Sequence, residues 1–249
     1  MPFLSSIEVV DAPDSGFPFE LTSIQQLRSG LKLHPKVTFL VGENGTGKST
    51  ILEAIADKWG FDDQSGNRSR SPNLREYQTE LARYVRISRL HRPLDGFFLR
   101  AESFFNFAAH MDEMEKDPFT ATGYFNYGGK SLLEQSHGES FLSLFLNRFG
   151  EHGLYLLDEP EAALSPARQL TFLVRLHDLV ESDSQFIIAT HSPIIMAYPD
   201  AWIYQLSENG IERVEYEETQ HVDLTRRFLN NRKRMLDRLL SPMDDDDAD

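Results

Sequence analysis

Apolar residues fall into short continuous runs at Val37–Val41, Gly96–Arg100, Gly153–Leu157 and Gln185–Thr190. Continuous runs of this length suit central strands of a parallel sheet covered on both faces. Between them lie stretches of helical period. Ile51, Leu52 and Ile55 give an apolar face after Lys48, and Phe104–Met114 and Phe141–Phe149 also read as helices. Ser165-Pro166 supplies an N-cap and a first-turn proline, with Leu170, Leu173, Val174, Leu176 and Leu179 as the core stripe of the helix that follows. Leu74–Leu90 reads as a helix, and Arg83, Arg86 and Arg89 recur along it every three residues. Trp202–Leu206 and Ile211–Val214 form a hairpin across Ser-Glu-Asn-Gly210, with helices expected at His221–Leu229 and Arg232–Leu240. Ser6–Val10 alternates weakly, as an edge strand does. Alternating strands and helices predict an α/β fold: a mostly parallel sheet flanked by helices, a small antiparallel β subdomain from the N-terminus, and a helical insertion around 61–130.

Composition narrows the class. The 249 residues include no cysteine, which excludes disulfides and thiolate metal sites. No apolar run reaches the ~18 residues that span a bilayer, and Met-Pro-Phe-Leu-Ser-Ser has no basic or long apolar segment, so a cytoplasmic protein without membrane insertion is expected. The net charge of −14 argues against a chain coated by nucleic acid. Part of it lies in Asp244–Asp247 and Asp249; residues 1–240 are expected to form one domain and 241–249 a disordered acidic tail. The basic exception is region 68–92, which holds Arg68, Arg70, Arg75, Arg83, Arg86, Arg89 and Arg92. It reads either as a solvated face or as a contact for nucleic acid or a partner protein. Two other loops carry expectations of their own: Phe61–Asn73 as a mobile surface loop, and Asp117–Lys130 as a lid, a partner surface or a buried Ω-loop.

The chemistry centres on the turn after Val37–Val41. Gly42, Gly45, Gly47, Lys48 and Ser49 match the phosphate-loop pattern G-x-x-x-x-G-K-[ST] in full. Glycines let backbone N–H groups approach phosphate oxygens, and the following helix points its positive end at them. The nucleotide-contacting segment is therefore Gly42, Glu43, Asn44, Gly45, Thr46, Gly47, Lys48, Ser49 and Thr50, with Lys48 reaching the β- and γ-phosphates and Ser49 holding Mg²⁺. Asp158 and Glu159 end a buried strand at its carboxyl end, where such sheets bind ligands. That places Asp158 at Mg²⁺ and Glu159 at the attacking water. His191 ends another strand of the same sheet and is assigned to the γ-phosphate or the water. Ser136-His-Gly-Glu-Ser140, before an apolar helix, reads as a second anion site built on Ser136, Gly138 and Glu139. Ser136 and Glu139 also fit a capping box. Phe17 or Phe19 is a candidate to stack on adenine, against plain packing.

Taken in order, GENGTGKST, SHGES, LYLLDEP, EAALSP and IIATHSP resemble the ABC-type ATPase core, and more narrowly the compact "predicted ATPase" branch of the AAA family, related to the heads of OLD, RecF and SMC-like proteins. The resemblance runs from about Ser6 to Leu240. It implies Walker A at Gly42–Ser49, signature at Ser136–Ser140, Walker B at Leu154–Asp158, catalytic Glu159 with Lys48 and His191, and a D-loop at Glu161–Ser165. It further implies ATP and Mg²⁺ as cofactors and a homodimer closed head-to-tail by ATP, with the signature across the interface. The signature is SHGES rather than LSGGQ, and Glu102 or Ser103 stands where the family carries a glutamine. No heptad-patterned stretch and no nuclease-like carboxylate cluster accompanies the core. The implied functions are a nucleotide switch in DNA repair or phage defence, a nucleotide-gated module regulating a separate effector, or a transporter subunit.

Overall fold

The computed structural model describes residues 2–61, 79–102, 104–116, 124 and 127–241. In chain order the elements are β1 (Leu4–Val9), α1 (Thr22–Gln26), β2 (Leu31–Lys32), β3 (Val37–Gly42), α2 (Lys48–Trp59), β4 (Val85–Arg89), β5 (Asp95–Arg100), α3 (Phe104–Lys116), α4 (His137–Asn147), β6 (Gly153–Asp158), α5 (Pro166–Glu181), β7 (Gln185–Ala189), β8 (Trp202–Ser207), β9 (Gly210–Val214), α6 (Gln220–Asn230) and α7 (Arg232–Leu239). Most of the loops expected at 61–73 and 117–130, and nearly all of the expected acidic tail, lie outside the described residues.

Every residue of β3, β6 and β7 is buried, as their unbroken apolar runs require. They sit inside a six-stranded sheet of order β5-β6-β7-β3-β8-β9, parallel except for the antiparallel β8–β9 hairpin. Because side chains alternate along a strand, the sheet feeds two cores. Phe39, Val41, Tyr155, Leu157, Phe186 and Ile188 pack on one face with residues of α3, α4 and α5. Leu40, Leu154, Leu156 and Ile187 pack on the other with α2 and the N-terminal strands. Those strands form the small antiparallel sheet, of order β2-β1-β4. β1 is thus its centre and not an edge.

Two helical expectations are corrected. Over the described part of Leu74–Leu90 the chain makes a 3₁₀ turn at Leu81–Arg83 and then β4, paired with β1 so that Arg86 lies opposite Glu8. The arginines therefore share no helical face. Arg86 and Arg89 are an odd number of residues apart on a strand, and Arg89 lies 4.7 Å over the Trp59 ring and donates to the Lys58 carbonyl. Strand pairing with β1 overrode a local pattern that fitted either element. In α5, Leu170 and Val174 are 58% and 65% exposed, while Phe172, Leu176, Leu179 and Val180 are buried. Phe172 stacks on Phe145 of α4 with centroids 4.3 Å apart, and that contact sets the rotation of the helix.

The two sheets are joined by Gln185, fully buried at the start of β7. Its Oε1 accepts from the N–H groups of Phe3 and Leu4 at 2.9 Å, and its Nε2 donates to the carbonyls of Leu4 at 2.7 Å and His34 at 2.9 Å. Gln185→Leu keeps the bulk but strands these backbone groups, at about 1–3 kcal/mol for each buried group left unpaired. A loss of about 4 kcal/mol or more in urea unfolding is expected for the four groups; a loss under about 1 kcal/mol would mean that water or a shifted β1 satisfies them.

Candidate functional site

The site is built where β3, β6 and β7 end. Gly42 closes β3 at φ 139°, and a Cβ there would lie 2.2 Å from the Leu206 carbonyl oxygen of β8. Gly47, at φ 96°, precedes α2 in the left-handed region that favours glycine. Ser23 braces the loop from α1, its Oγ donating to the Thr46 carbonyl at 2.6 Å. Lys48 is buried and its Nζ donates to the carbonyls of Gly42 at 2.8 Å and Glu43 at 3.0 Å. Burial pushes its ammonium down from the usual lysine range, while Glu159 and Asp158 pull the other way.

Asp158 reaches this loop although β7 lies between β6 and β3. Ser49 Oγ donates to Asp158 Oδ1 at 3.0 Å. Burial pushes Asp158 up to about 6, against the Ser49 hydroxyl and the Arg100 guanidinium, which favour its charged form. Arg100 ends β5: its Nη1 pairs with Glu53 at 2.6 Å, its Nη2 with Glu102 at 3.4 Å, and its Nε lies 3.6 Å from Asp158 Oδ2. Neither Arg100 nor Glu53 was singled out from the sequence. The available signal was a charge at the carboxyl end of an apolar strand.

Glu159 sits at φ 49° and ψ 52°, a left-handed conformation that costs a non-glycine residue about 1–2 kcal/mol and is held by its N–H donating to the Ala189 carbonyl at 2.9 Å. Its Oε1 accepts from His191 Nε2 at 3.1 Å. The His191 backbone N–H donates to Glu161 Oε1 at 2.5 Å, and burial raises the Glu161 carboxyl above its usual range. His191 Nδ1 lies 3.0 Å from Nε2 of His221, in the first turn of α6. Glu161 was read only as a loop residue and His221 only as a helix start. The pattern carried no sign of either contact.

A cavity of about 270 Å³ opens over the loop, lined by Asn44, Gly45, Gly47, Lys48, Ser49 and Thr50 with Glu159, Glu102, Leu21 and Phe17. Phe17 is 66% exposed on this rim, whereas Phe19 is buried edge-on against Tyr84. Of the two residues where the family carries glutamine, Glu102 lines the cavity and Ser103 lies outside the described residues. Ser136, Gly138 and Glu139 are not among its lining residues. Ser136 and Glu139 form the capping box of α4, with Ser136 Oγ donating to Glu139 Oε2 at 2.7 Å and Glu139 paired to Arg168 at 3.1 Å. Gly138 is pressed against the Ala163 carbonyl oxygen, 2.8 Å from where a Cβ would stand.

The donor set fits a magnesium nucleotide. It offers a glycine-cradled row of backbone N–H groups, one ammonium, and a hydroxyl and carboxylate of the hard oxygen type Mg²⁺ takes together with phosphate oxygens.

A model described as "AAA domain, putative AbiEii toxin, Type IV TA system" matches residues 131–197, and another described as "AAA domain" matches residues 20–96. The chain is 37% identical over 89 residues to protein ea59 of Escherichia phage lambda; the match covers 34% of this chain and 17% of that protein's length. It is 29% identical over 189 residues to the hemin import ATP-binding protein HmuV of Pseudomonas aeruginosa, covering 65% of this chain and 69% of the relative. The fold resembles that in "An inward-facing conformation of a putative metal-chelate type ABC transporter", with TM-score 0.51 and 17% identity over 90% of this chain and 88% of that one. Among the described residues no helix is long and apolar enough to cross a membrane. A complete phosphate loop, AAA-domain matches over residues 20–96 and 131–197, and a mostly parallel sheet like that in an ABC transporter support a compact P-loop ATPase.

Proposed function

We propose that this chain binds ATP with Mg²⁺, hydrolyses it at the Lys48–Glu159 cavity, and works as a nucleotide switch whose site is completed by a second copy. The convergence of Ser49, Asp158, Glu159 and His191, brought together from α2 and the ends of β6 and β7, carries the reading. Ser49 and Asp158 would hold the metal, and Lys48 would pair with phosphate oxygens. Mg²⁺, when bound, supplies neutralisation of charge on the transferring phosphoryl group. Glu159 accepts the proton of the attacking water, and its hydrogen bond from His191 keeps the carboxylate aimed. Positioning of these groups on rigid strand ends supplies most of the rate. Mg²⁺-dependent phosphate release, lost on chelation with EDTA, tests the reading at its coarsest.

Phe17 is proposed as the adenine platform. Base–aromatic stacking is worth ~1–3 kcal/mol, so Phe17→Ala should weaken nucleotide binding about tenfold at unchanged saturating turnover. Titration with a fluorescent ATP analogue measures this, and equal affinity in the two proteins would return Phe17 to the loop surface. A switch read by a separate effector protein is favoured by one further observation: α7 buries no residue, and Leu224, Leu229, Leu239 and Leu240 are 62%, 69%, 70% and 77% exposed.

A further inference from the structure

His191 makes a hydrogen bond at each ring nitrogen, to Glu159 through Nε2 at 3.1 Å and to His221 through Nδ1 at 3.0 Å. A carboxylate can only accept, so His191 Nε2 carries a proton. With His191 neutral, Nδ1 is then the acceptor and His221 Nε2–H the donor. His221 Nδ1 is buried and has no hydrogen-bond partner among the described residues. The opposite arrangement would put an N–H on that atom and leave a buried donor unpaired, which folded proteins avoid more strictly than an unpaired acceptor. Burial foremost lowers the His221 pKa, which favours the neutral ring.

The first turn of α6 is anchored so that this donor stays in place. Thr219 is fully buried, with its Oγ1 donating to the Tyr216 carbonyl at 2.8 Å. The Tyr216 hydroxyl donates to the Pro193 carbonyl at 2.9 Å, and the Gln220 N–H donates to Gln205 Oε1 at 2.9 Å. Val222 is buried in the core beside them. By contrast, α7 buries no residue.

We infer that His221 is a positioning residue: its Nε2–H fixes His191 as the Nε2–H tautomer, and so fixes the hydrogen bond His191 gives to Glu159. The catalytic consequence rests on the ATPase reading above; the tautomer does not. Without this donor Glu159 alone favours the Nε2–H tautomer, so the Nδ1–H form, in which Nε2 presents a lone pair to the Glu159 carboxylate, gains population. Two lone pairs repel, so Glu159 loses its orientation. Helix α6 thereby touches the catalytic centre through one imidazole.

Three variants test this. Glutamine places an amide nitrogen where imidazole Nε2 stands; asparagine places it one bond short; leucine removes it. In long-range ¹H–¹⁵N spectra of the nucleotide-free protein, His191 should be the Nε2–H tautomer in wild type and His221→Gln, and a mixture in His221→Asn and His221→Leu. In ATP hydrolysis, kcat should fall about tenfold in His221→Asn and His221→Leu, the scale of lost outer-shell support, with KM within twofold and most of kcat kept in His221→Gln. Unchanged His191 signals in His221→Asn overturn the proposal, as does equal kcat in the glutamine and asparagine variants. If His221→Leu fails to fold, the glutamine–asparagine pair still decides. Wild-type protein with no ATP turnover but a His191 tautomer that depends on His221 would sink the ATPase reading and leave the tautomer assignment standing.

Discussion

Glu159→Gln should hydrolyse ATP at least ~10²-fold more slowly than wild type while still binding it, the usual scale for loss of a general base. The substitution is well posed here. Glutamine is isosteric, and its amide oxygen can still accept from His191 Nε2, so the 3.1 Å contact survives. Residue 159 keeps its left-handed backbone in either protein, so the strain at φ 49° is common to both and stability should change little. Only the capacity to take a proton is removed. Lys48→Ala is the contrasting lesion: it should weaken binding as well as turnover, since the lost ammonium serves ground state and transition state alike. Single-turnover phosphate release with independently measured nucleotide affinity separates the two. Wild-type release from Glu159→Gln would take Glu159 out of its assigned role.

Neither Lys48→Ala nor Ser136→Arg should turn over ATP alone, yet mixing them should restore partial activity. Ser136 caps α4, its hydroxyl is bound to Glu139, and the segment packs against the Ala163 carbonyl and Arg168 rather than over the phosphate loop of its own chain. The Lys48 cavity, for its part, is lined by none of Ser136, Gly138 and Glu139 of its own chain. A two-fold pair of chains in which each signature covers the other chain's cavity satisfies both. In a mixed dimer, one composite site then carries both lesions and the other keeps an intact Lys48 and an intact Ser136. Ser136→Arg should cost the monomer only about 1 kcal/mol of helix capping, which a thermal melt can check. No recovery of activity in proven heterodimers would mean that the site is completed within one chain or that both sites must fire together. Light scattering of Glu159→Gln decides between these, because ATP should convert monomer to dimer by mass action. A mass that stays monomeric with ATP would end the two-chain model.

Much of the site could be read before the fold because it is local. Strand, glycine turn and helix start lie within Val37–Ile55, and their chemistry depends on spacing along the chain. Asp158, Glu159 and His191 could be placed because a strand's carboxyl end is marked where an apolar run stops. The order of the strands was not available in this way. β7 lies between β3 and β6, so Asp158 meets Ser49 from two strands away.

What the sequence by itself determined, then, is the phosphate loop, the buried runs of the parallel strands, the Ser136–Glu139 capping box and the helix opened by Ser165-Pro166. Each is specified by residues within one or two turns of one another. The tertiary structure alone decided the rest. Val85–Arg89 became a strand because β1 offered it a ladder, and α5 turned Leu170 and Val174 outward because Phe172 found Phe145. Gln185 joined two sheets, Arg100 settled between Glu53 and Asp158, and His221 met His191 for the same reason. Those contacts form between residues far apart in the chain, where side-chain packing and the pairing of buried polar groups outweigh local periodicity, and no spacing rule along the sequence encodes them.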